Sequence, residues 1–323
     1  MRVVFMGTPE FALPSLRALV EGGYNIVGVY TRPDRLAGRG RALTPPAVKT
    51  AALDYGLPVF QPPGLRRPEV VEELASLKPD VIVVCAFGVI LRQPVLDIPA
   101  KGVLNVHPSL LPRHRGASPI AAAILAGDEQ TGVTIMLLDP GMDTGPILGQ
   151  RAIPVSPWDT GGSLDERLAT VGAELLLEVL PHWLADEIEP QPQDDSLATY
   201  SPLLSKEDGA IDWNLPAIDI WRRVRAFNPW PGAFTTLAGQ TLLIWETWPL
   251  SVGGVGEPGT VLSLTAEQRQ MLPPEAGEKE TLAVQTGEGL LAILRLQQAG
   301  RRSLAAAEFM RGQRNLLGHR LGQ

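Results

Sequence analysis

Arg2-Val-Val-Phe-Met-Gly7-Thr8-Pro9-Glu10-Phe11-Ala12-Leu13-Pro14-Ser15-Leu16-Arg17-Ala18-Leu19-Val20-Glu21-Gly22-Gly23-Tyr24-Asn25-Ile26-Val27-Gly28-Val29-Tyr30 is the stretch that decides the fold. An apolar run ends in glycine, and a helical pattern follows with Leu16, Leu19 and Val20 on one face and Pro14 in its first turn. Gly22-Gly23 stops that helix, and 25–30 reads as a second strand. Strand, glycine turn, helix, strand opens an α/β, Rossmann-like doubly wound, mostly parallel sheet. The turn is not G-x-G-x-x-G, and Pro9 and bulky Phe11 sit badly with close approach of a pyrophosphate, which argues against a dinucleotide site.

Working outward, 57–60 reads as a short strand, 68–77 as a helix and 80–86 as an apolar strand buried on both faces. A strand at 102–106, a helix at 117–126 and strands at 131–138 and 146–153 follow. The helix 163–184 shows a capping box, Ser163-x-x-Glu166, and an apolar face of Leu164, Leu168, Val171, Leu175 and Val179. These elements make a first domain, 1–188. Polar, Pro-rich 189–208 reads as a linker. In 209–323 a helix near 216–226 precedes five short β-like runs between glycines and prolines. That spacing fits a small OB-like β-barrel, a fold often used for nucleic acids. A helical tail is expected over 304–317, and acidic 271–280 reads as a surface insertion.

The chain has 323 residues, 45% hydrophobic and 20% charged, the composition of a soluble globular protein. Its single cysteine, Cys85, lies in a strand, so no disulfide forms within the chain, and four scattered histidines argue against a structural zinc site. No signal peptide is legible and no run approaches the roughly 18 apolar residues of a membrane span. A cytoplasmic monomer with no membrane contact and no metal is the expectation. The net charge of −7 argues against indiscriminate nucleic-acid binding. Two basic patches stand out on this acidic body: Arg32, Arg35, Arg39, Arg41 and Lys49 against Asp34, and six arginines against Glu308 in 295–323. They suggest a polyanion held at chosen places, although solvated loop arginines give the same composition.

The chemistry concentrates at Gly102-Val-Leu-Asn105-Val-His107-Pro108. Residues two apart on a strand share a face, so Asn105 and His107 stand together at the strand's C-terminal end, where open α/β sheets bind ligands. Taken alone the pair also fits a strand end whose polar groups satisfy a loop. Asp139 and Asp143 follow on a Gly/Pro turn. If strands 102–106 and 131–138 are neighbours, their C-terminal ends bring Asn105, His107 and one aspartate together. Acyl transfer to an amine suits that set: an amide donor for the oxyanion, an imidazole for the proton, and a carboxylate to orient it or hold it cationic. No serine or cysteine has a triad-like setting, which favours direct transfer through a tetrahedral intermediate.

Asn105-x-His107-Pro-Ser-Leu-Leu-Pro112-x-x-Arg115-Gly116, with Asp139-x-Gly-x-Asp143-Thr-Gly145 after it, resembles the signature of the folate-dependent formyltransferases. Gly7-Thr-Pro-Glu-Phe-Ala12, Ala37-Gly-Arg-Gly-Arg41, Arg225-Ala-Phe-Asn-Pro-Trp-Pro231 and the second β domain are similar to the tRNA-acting branch of that family. The resemblance implies 10-formyltetrahydrofolate as formyl donor, the free amine of initiator methionyl-tRNA as acceptor, and no metal. It implies catalytic roles for Asn105, His107 and Asp143. It implies a folate pocket bounded by Phe87, Gly88, Val89, Ile90 and Leu91, by Ser109, Leu110, Leu111 and Pro112, and by Asp139 shaping its loop. It implies tRNA contacts from Arg35, Arg39 and Arg41 and from Arg301 and Arg302. Pro108 departs from the glycine common there. An N-formyltransferase for a nucleotide-linked amino sugar shares the catalytic set, and a non-catalytic RNA-binding protein would share the basic patches.

Overall fold

A computed structural model describes residues 1–37, 42–276, 282–313 and 316–322. The chain divides into two compact units: Met1–Pro119, Gln130–Pro154 and Leu164–Pro202 in the first; Ile120–Glu129, Val155–Ser163 and Leu203–Gln323 in the second.

In the first unit the opening run becomes β1 (Arg2–Gly7), followed by α1 (Leu13–Glu21), with Leu16 and Leu19 fully buried, and β2 (Asn25–Tyr30). A hairpin of β3 (Arg35–Ala37) and β4 (Ala42–Thr44) comes next, then α2 (Ala47–Asp54), β5 (Val59–Phe60), α3 (Pro68–Ser76) and β6 (Val81–Cys85). After the short α4 (Gln93–Leu96) come β7 (Val103–His107), β8 (Arg115–Gly116), α5 (Pro119–Ala126), which from Ile120 on belongs to the second unit, then β9 (Gln130–Leu137), β10 (Ile147–Pro154) and α6 (Gly161–Leu184), which belongs to the first unit from Leu164 on. The seven-stranded sheet runs β10-β9-β7-β6-β1-β2-β5. Strands β5, β2, β1, β6 and β7 are parallel, so the chain leaves β1 toward one edge and returns on the other side, as in a doubly wound sheet. Helix α6 lies against β7 and β9, where a Cβ on Gly172 would stand 2.8 Å from Val106 Cγ1. On the other face Val4, Met6, Ile82, Val84 and Val103 form a core with Leu74, Val95 and Leu96.

Helix α6 begins two residues earlier than its sequence suggests. The Ser163 amide donates to Thr160 Oγ1 at 3.1 Å and the Thr160 amide to Ser163 Oγ at 3.0 Å. Thr160 therefore holds the capping position and Ser163 closes the box from inside the helix; a glycine pair, Gly161-Gly162, hides this start from a propensity reading. The segment expected as a linker is ordered into the first unit as far as Pro202. Gln191 bridges Ile147, and β11 (Tyr200–Ser201) pairs in parallel with β8. Pro and polar residues signal a lack of regular structure, not a lack of partners.

The second unit is built on a curled antiparallel, OB-like sheet. Helix α7 (Ala217–Ala226) precedes β12 (Ala233–Leu237) and β13 (Gln240–Leu250), joined by a two-residue turn with Ala238 at φ 49 and Gly239 at φ 73. Then come β14 (Val261–Ser263), α8 (Ala266–Gln270), β15 (Leu282–Gln285), β16 (Leu290–Gln298), β17 (Leu304–Ala305) and α9 (Ala306–Gly312). The order is β12-β13-β16-β15-β14, with β17 also on β16. Register irregularities around Glu246 bend long β13, which lets the sheet wrap Ile220 and Val224 of α7. The expected tail helix is shorter, because Leu304 and Ala305 pair with Leu296 and Arg295 as a strand before the helix starts. Arg225 is buried here: its guanidinium donates to the carbonyls of Ser156 and Asp159 at 2.7 and 2.8 Å and lies 4.2 Å from the Trp221 ring centre.

Candidate active site

Strand β7 carries Val106 toward α6, so alternation turns Asn105 and His107 to the opposite face, the face of Val103 and Val84. Phe87 and Leu91 belong to that same core, so the loop after β6 and the end of β7 border one site. Ala86 at φ 48 and Gly88 at φ 74 turn the loop, and the Thr8 hydroxyl ties it to β1 by donating to Phe87 O at 3.0 Å. Phe87 and Leu91 are anchored in the core, Gly88 is exposed, Val89 half-buried, and Ile90 at the tip is 80% exposed. An apolar side chain standing free beside a buried apolar base suits a flat, largely apolar ligand.

His107 is only 4% exposed. Its Nε2 lies 3.2 Å from His114 O, which can only accept, so the neutral ring carries its proton on Nε2 and leaves Nδ1 bare. Nδ1 faces Asp143 Oδ2 at 3.8 Å, too long for a hydrogen bond but close enough for the carboxylate's charge to act. Burial pushes the imidazole below its ordinary value of 6.5, against the opposing pull of Asp143 and the His114 carbonyl; His114's own ring adds to the lowering. Among the described residues the Asn105 carboxamide has no hydrogen-bond partner, and the residue is half-buried. It stands as an uncommitted donor beside a base.

Asp143 arrives by a route different from the one expected. Strands β7 and β9 are neighbours but antiparallel, with Asn105 opposite Met136 and His107 opposite Thr134. The C-terminal end of β9 therefore lies beside Leu104, and the loop from Leu138 to Pro146 carries Asp143 back to His107. A period-two pattern specifies a strand and its faces but not its direction. Asp139 shapes this loop: its Oδ1 accepts from the Gly141 amide at 3.0 Å and the Thr144 hydroxyl at 2.6 Å. Asp143 itself adopts φ 54, and its Oδ2 accepts from the Gly116 amide at 2.8 Å.

The run from Ser109 to Pro112 is pinned from beneath by two residues that pattern alone did not flag. Thr134 Oγ1 donates to Ser109 O and accepts from the Leu111 amide, and Gln150 Nε2 donates to Leu111 O at 2.8 Å. Ser109 is buried with its hydroxyl on Arg113 O, Leu111 is buried, and Leu110 and Pro112 are half-buried. Thr134 was discoverable as the one polar residue in the middle of the apolar run 133–138. Neither nearby hydroxyl nor thiol is poised for attack: Ser109 is spent on the turn, and burial pushes the Cys85 thiol up to about 12.

Of the arginines, Arg35 is exposed on β3, and Arg39 and Arg41 lie outside the described residues. Arg301 and Arg302 are exposed in the second unit, where with Gln298, Leu304 and Phe309 they border a cavity of about 460 Å³. Arg302 pairs with Glu308 at 2.5 Å. No helix among the described residues is long and apolar enough to cross a membrane.

A doubly wound sheet that brings a carboxamide, a buried imidazole and a carboxylate to one strand end, with no nucleophile poised there among the described residues, carries groups suited to moving an acyl group onto an amine. Residues 1–180 match the formyl transferase family and residues 203–314 the formyl transferase C-terminal domain. The chain belongs to the formyl transferase family. It is 50% identical over 312 residues to a methionyl-tRNA formyltransferase of Chloroflexus aurantiacus, covering 97% of each chain. It is 50% identical to that of Dehalococcoides mccartyi over 322 residues, covering 100% of this chain and 99% of the relative. Among solved structures, an N-formyltransferase from Helicobacter canadensis in complex with folinic acid and dTDP-3-aminofucose superposes with a TM-score of 0.65 at 17% identity, covering 92% of this chain and 98% of that one. HypX from Aquifex aeolicus in complex with tetrahydrofolic acid gives 0.59 at 21%, covering 96% of this chain and 47% of that one. At such identities the likeness is one of fold.

Proposed function

We propose that this protein transfers the formyl group of 10-formyltetrahydrofolate to the free amino group of initiator methionyl-tRNA, as a cytoplasmic monomer. The observation that carries this reading is the meeting of Asn105, His107 and Asp143 at one strand end, in a chain half identical along its length to proteins named for that reaction. The free Asn105 carboxamide donates to the formyl oxygen as it becomes negative, worth about 3 kcal/mol at such a site. His107 Nδ1 takes the proton that the attacking amine must lose, and Asp143 stabilises the imidazolium so formed. The same nitrogen returns the proton to the departing folate nitrogen. The loops 87–91 and 109–112 and Asp139 hold the folate co-substrate: a core-anchored apolar base and an exposed Ile90 suit a flat pterin ring.

Purified protein, 10-formyltetrahydrofolate and charged initiator tRNA give formyl-methionyl-tRNA, and a nucleotide-linked amino sugar offered instead gives little product. The reverse preference sinks the proposal. For the tRNA, we assign phosphate contacts to Arg35, Arg39, Arg41, Arg301 and Arg302. Arg301→Ala weakens tRNA binding and lowers the slope of log K against log salt by about 1, with kcat at saturating tRNA unchanged. Titrations at several salt concentrations with an unaltered slope remove Arg301 from the interface.

A further inference from the structure

The Pro-rich segment after α6 folds back onto the strand end that holds His107. Gln191 is anchored on Ile147, and Tyr200 and Ser201 pair with Arg115 and Gly116. Gln193 lies between these anchors. Its Oε1 accepts from Arg115 Nε at 3.0 Å and Nη2 at 2.8 Å. Its Nε2 donates to the carbonyls of Asp143 at 2.8 Å and Gly145 at 2.7 Å. Arg115 is 1% exposed and also donates to Asp195 Oδ1 at 2.7 Å.

The chemistry of these groups fixes how the carboxamide is turned. A guanidinium only donates, so the Gln193 oxygen must face it and the NH2 group must face the loop. Both carbonyls of the loop only accept, which the NH2 group satisfies. Asp143 is consequently held from one motif by two arms. The Gly116 amide grips its carboxylate, and Arg115, through Gln193, grips its carbonyl. That hold matters because Asp143 sits at φ 54, in the left-handed backbone region, which aspartate tolerates better than most residues with a side chain but which the two grips help to fix. A second oxygen on residue 193 would set lone pairs against lone pairs at both carbonyls.

We propose that Gln193, oriented by buried Arg115, is a positioning residue that sets the Asp143 carboxylate against His107. This rests on the reading of Asp143 as the partner of His107. The groups facing the His107 ring are Asp143 from its loop and His114 from the turn after β7; Gln193 acts on the first and touches neither ring.

The test is steady-state kinetics of the full chain with Gln193→Ala, Gln193→Glu and Asp143→Asn, each across pH. Gln193→Ala lowers kcat about ten- to a hundredfold with the KM of both substrates within about twofold, as expected when a reacting group is misplaced but binding surfaces are not. Its acidic limb in kcat/KM moves to lower pH, because a displaced carboxylate supports the imidazolium less. Gln193→Glu keeps the contact with Arg115 and the size of the side chain, so it reports on the loop even if the alanine variant fails to fold; its loss is at least as large. A folded glutamate variant with wild-type kcat and an unmoved limb overturns the proposal, as does a loss of kcat with no movement of the limb. An impaired Asp143→Asn beside normal Gln193 variants defeats the positioning role alone. Normal turnover in Asp143→Asn defeats the site reading, and the positioning role with it.

Discussion

His107→Ala lowers kcat by about 10²-fold or more while leaving tRNA affinity near that of the wild type. The ring is buried and its Nε2 is committed to the His114 carbonyl, so Nδ1 alone is left to move a proton. Burial holds the imidazole below 6.5, so the neutral form needed to accept a proton persists below that pH, and the acidic limb of kcat/KM in the wild type lies under 6.5. Asp143 pulls the other way, so Asp143→Asn shifts that limb further down. The same depression makes a stability statement. The unfolded chain takes up its proton first as pH falls through 6.5, so His107 costs stability from there down to its folded value, and His107→Ala removes that acid sensitivity. Single-turnover rates with filter binding of tRNA check the catalytic part. Near-normal turnover removes His107 from the mechanism.

Asn105→Ala lowers kcat by about 10²- to 10³-fold with small changes in KM, because the carboxamide acts on charge that develops only during transfer. The side chain is half-buried and has no partner among the described residues, so its removal costs little stability, within about 1 kcal/mol by thermal melting. Asn105→Asp is the sharper variant: it keeps the shape, loses both donors and sets a negative charge against the developing oxyanion. If it turns over as fast as the wild type, Asn105 is not the oxyanion donor and its lack of a partner has another cause.

Much of the candidate site was legible because its members are close in sequence or carry strong local signals. Asn105 and His107 share a face by simple alternation, and Asp143 announces itself on a Gly/Pro turn. The residues that support them were not legible. Arg115 stands in the motif without a visible partner until Gln193, 78 positions later, comes to meet it. Gln150 and Thr134 hold the 109–112 run across a strand pair whose register no local pattern states. Polar residues in a Pro-rich stretch carry the same composition whether they are solvated or docked, so 189–202 reads as a linker until its pairing is seen.

By itself the sequence determined the doubly wound sheet, the curled β unit after it, and the strand end where chemistry gathers. Side-chain periodicity, glycine stops and capping groups are local, and local physics is written in local residues. Tertiary structure alone decided that β9 runs against β7, that Asp143 reaches His107 by a returning loop, and that Gln193 braces it. Strand direction and long-range hydrogen bonds depend on which distant segments meet, and one residue's neighbours in the chain carry no record of that.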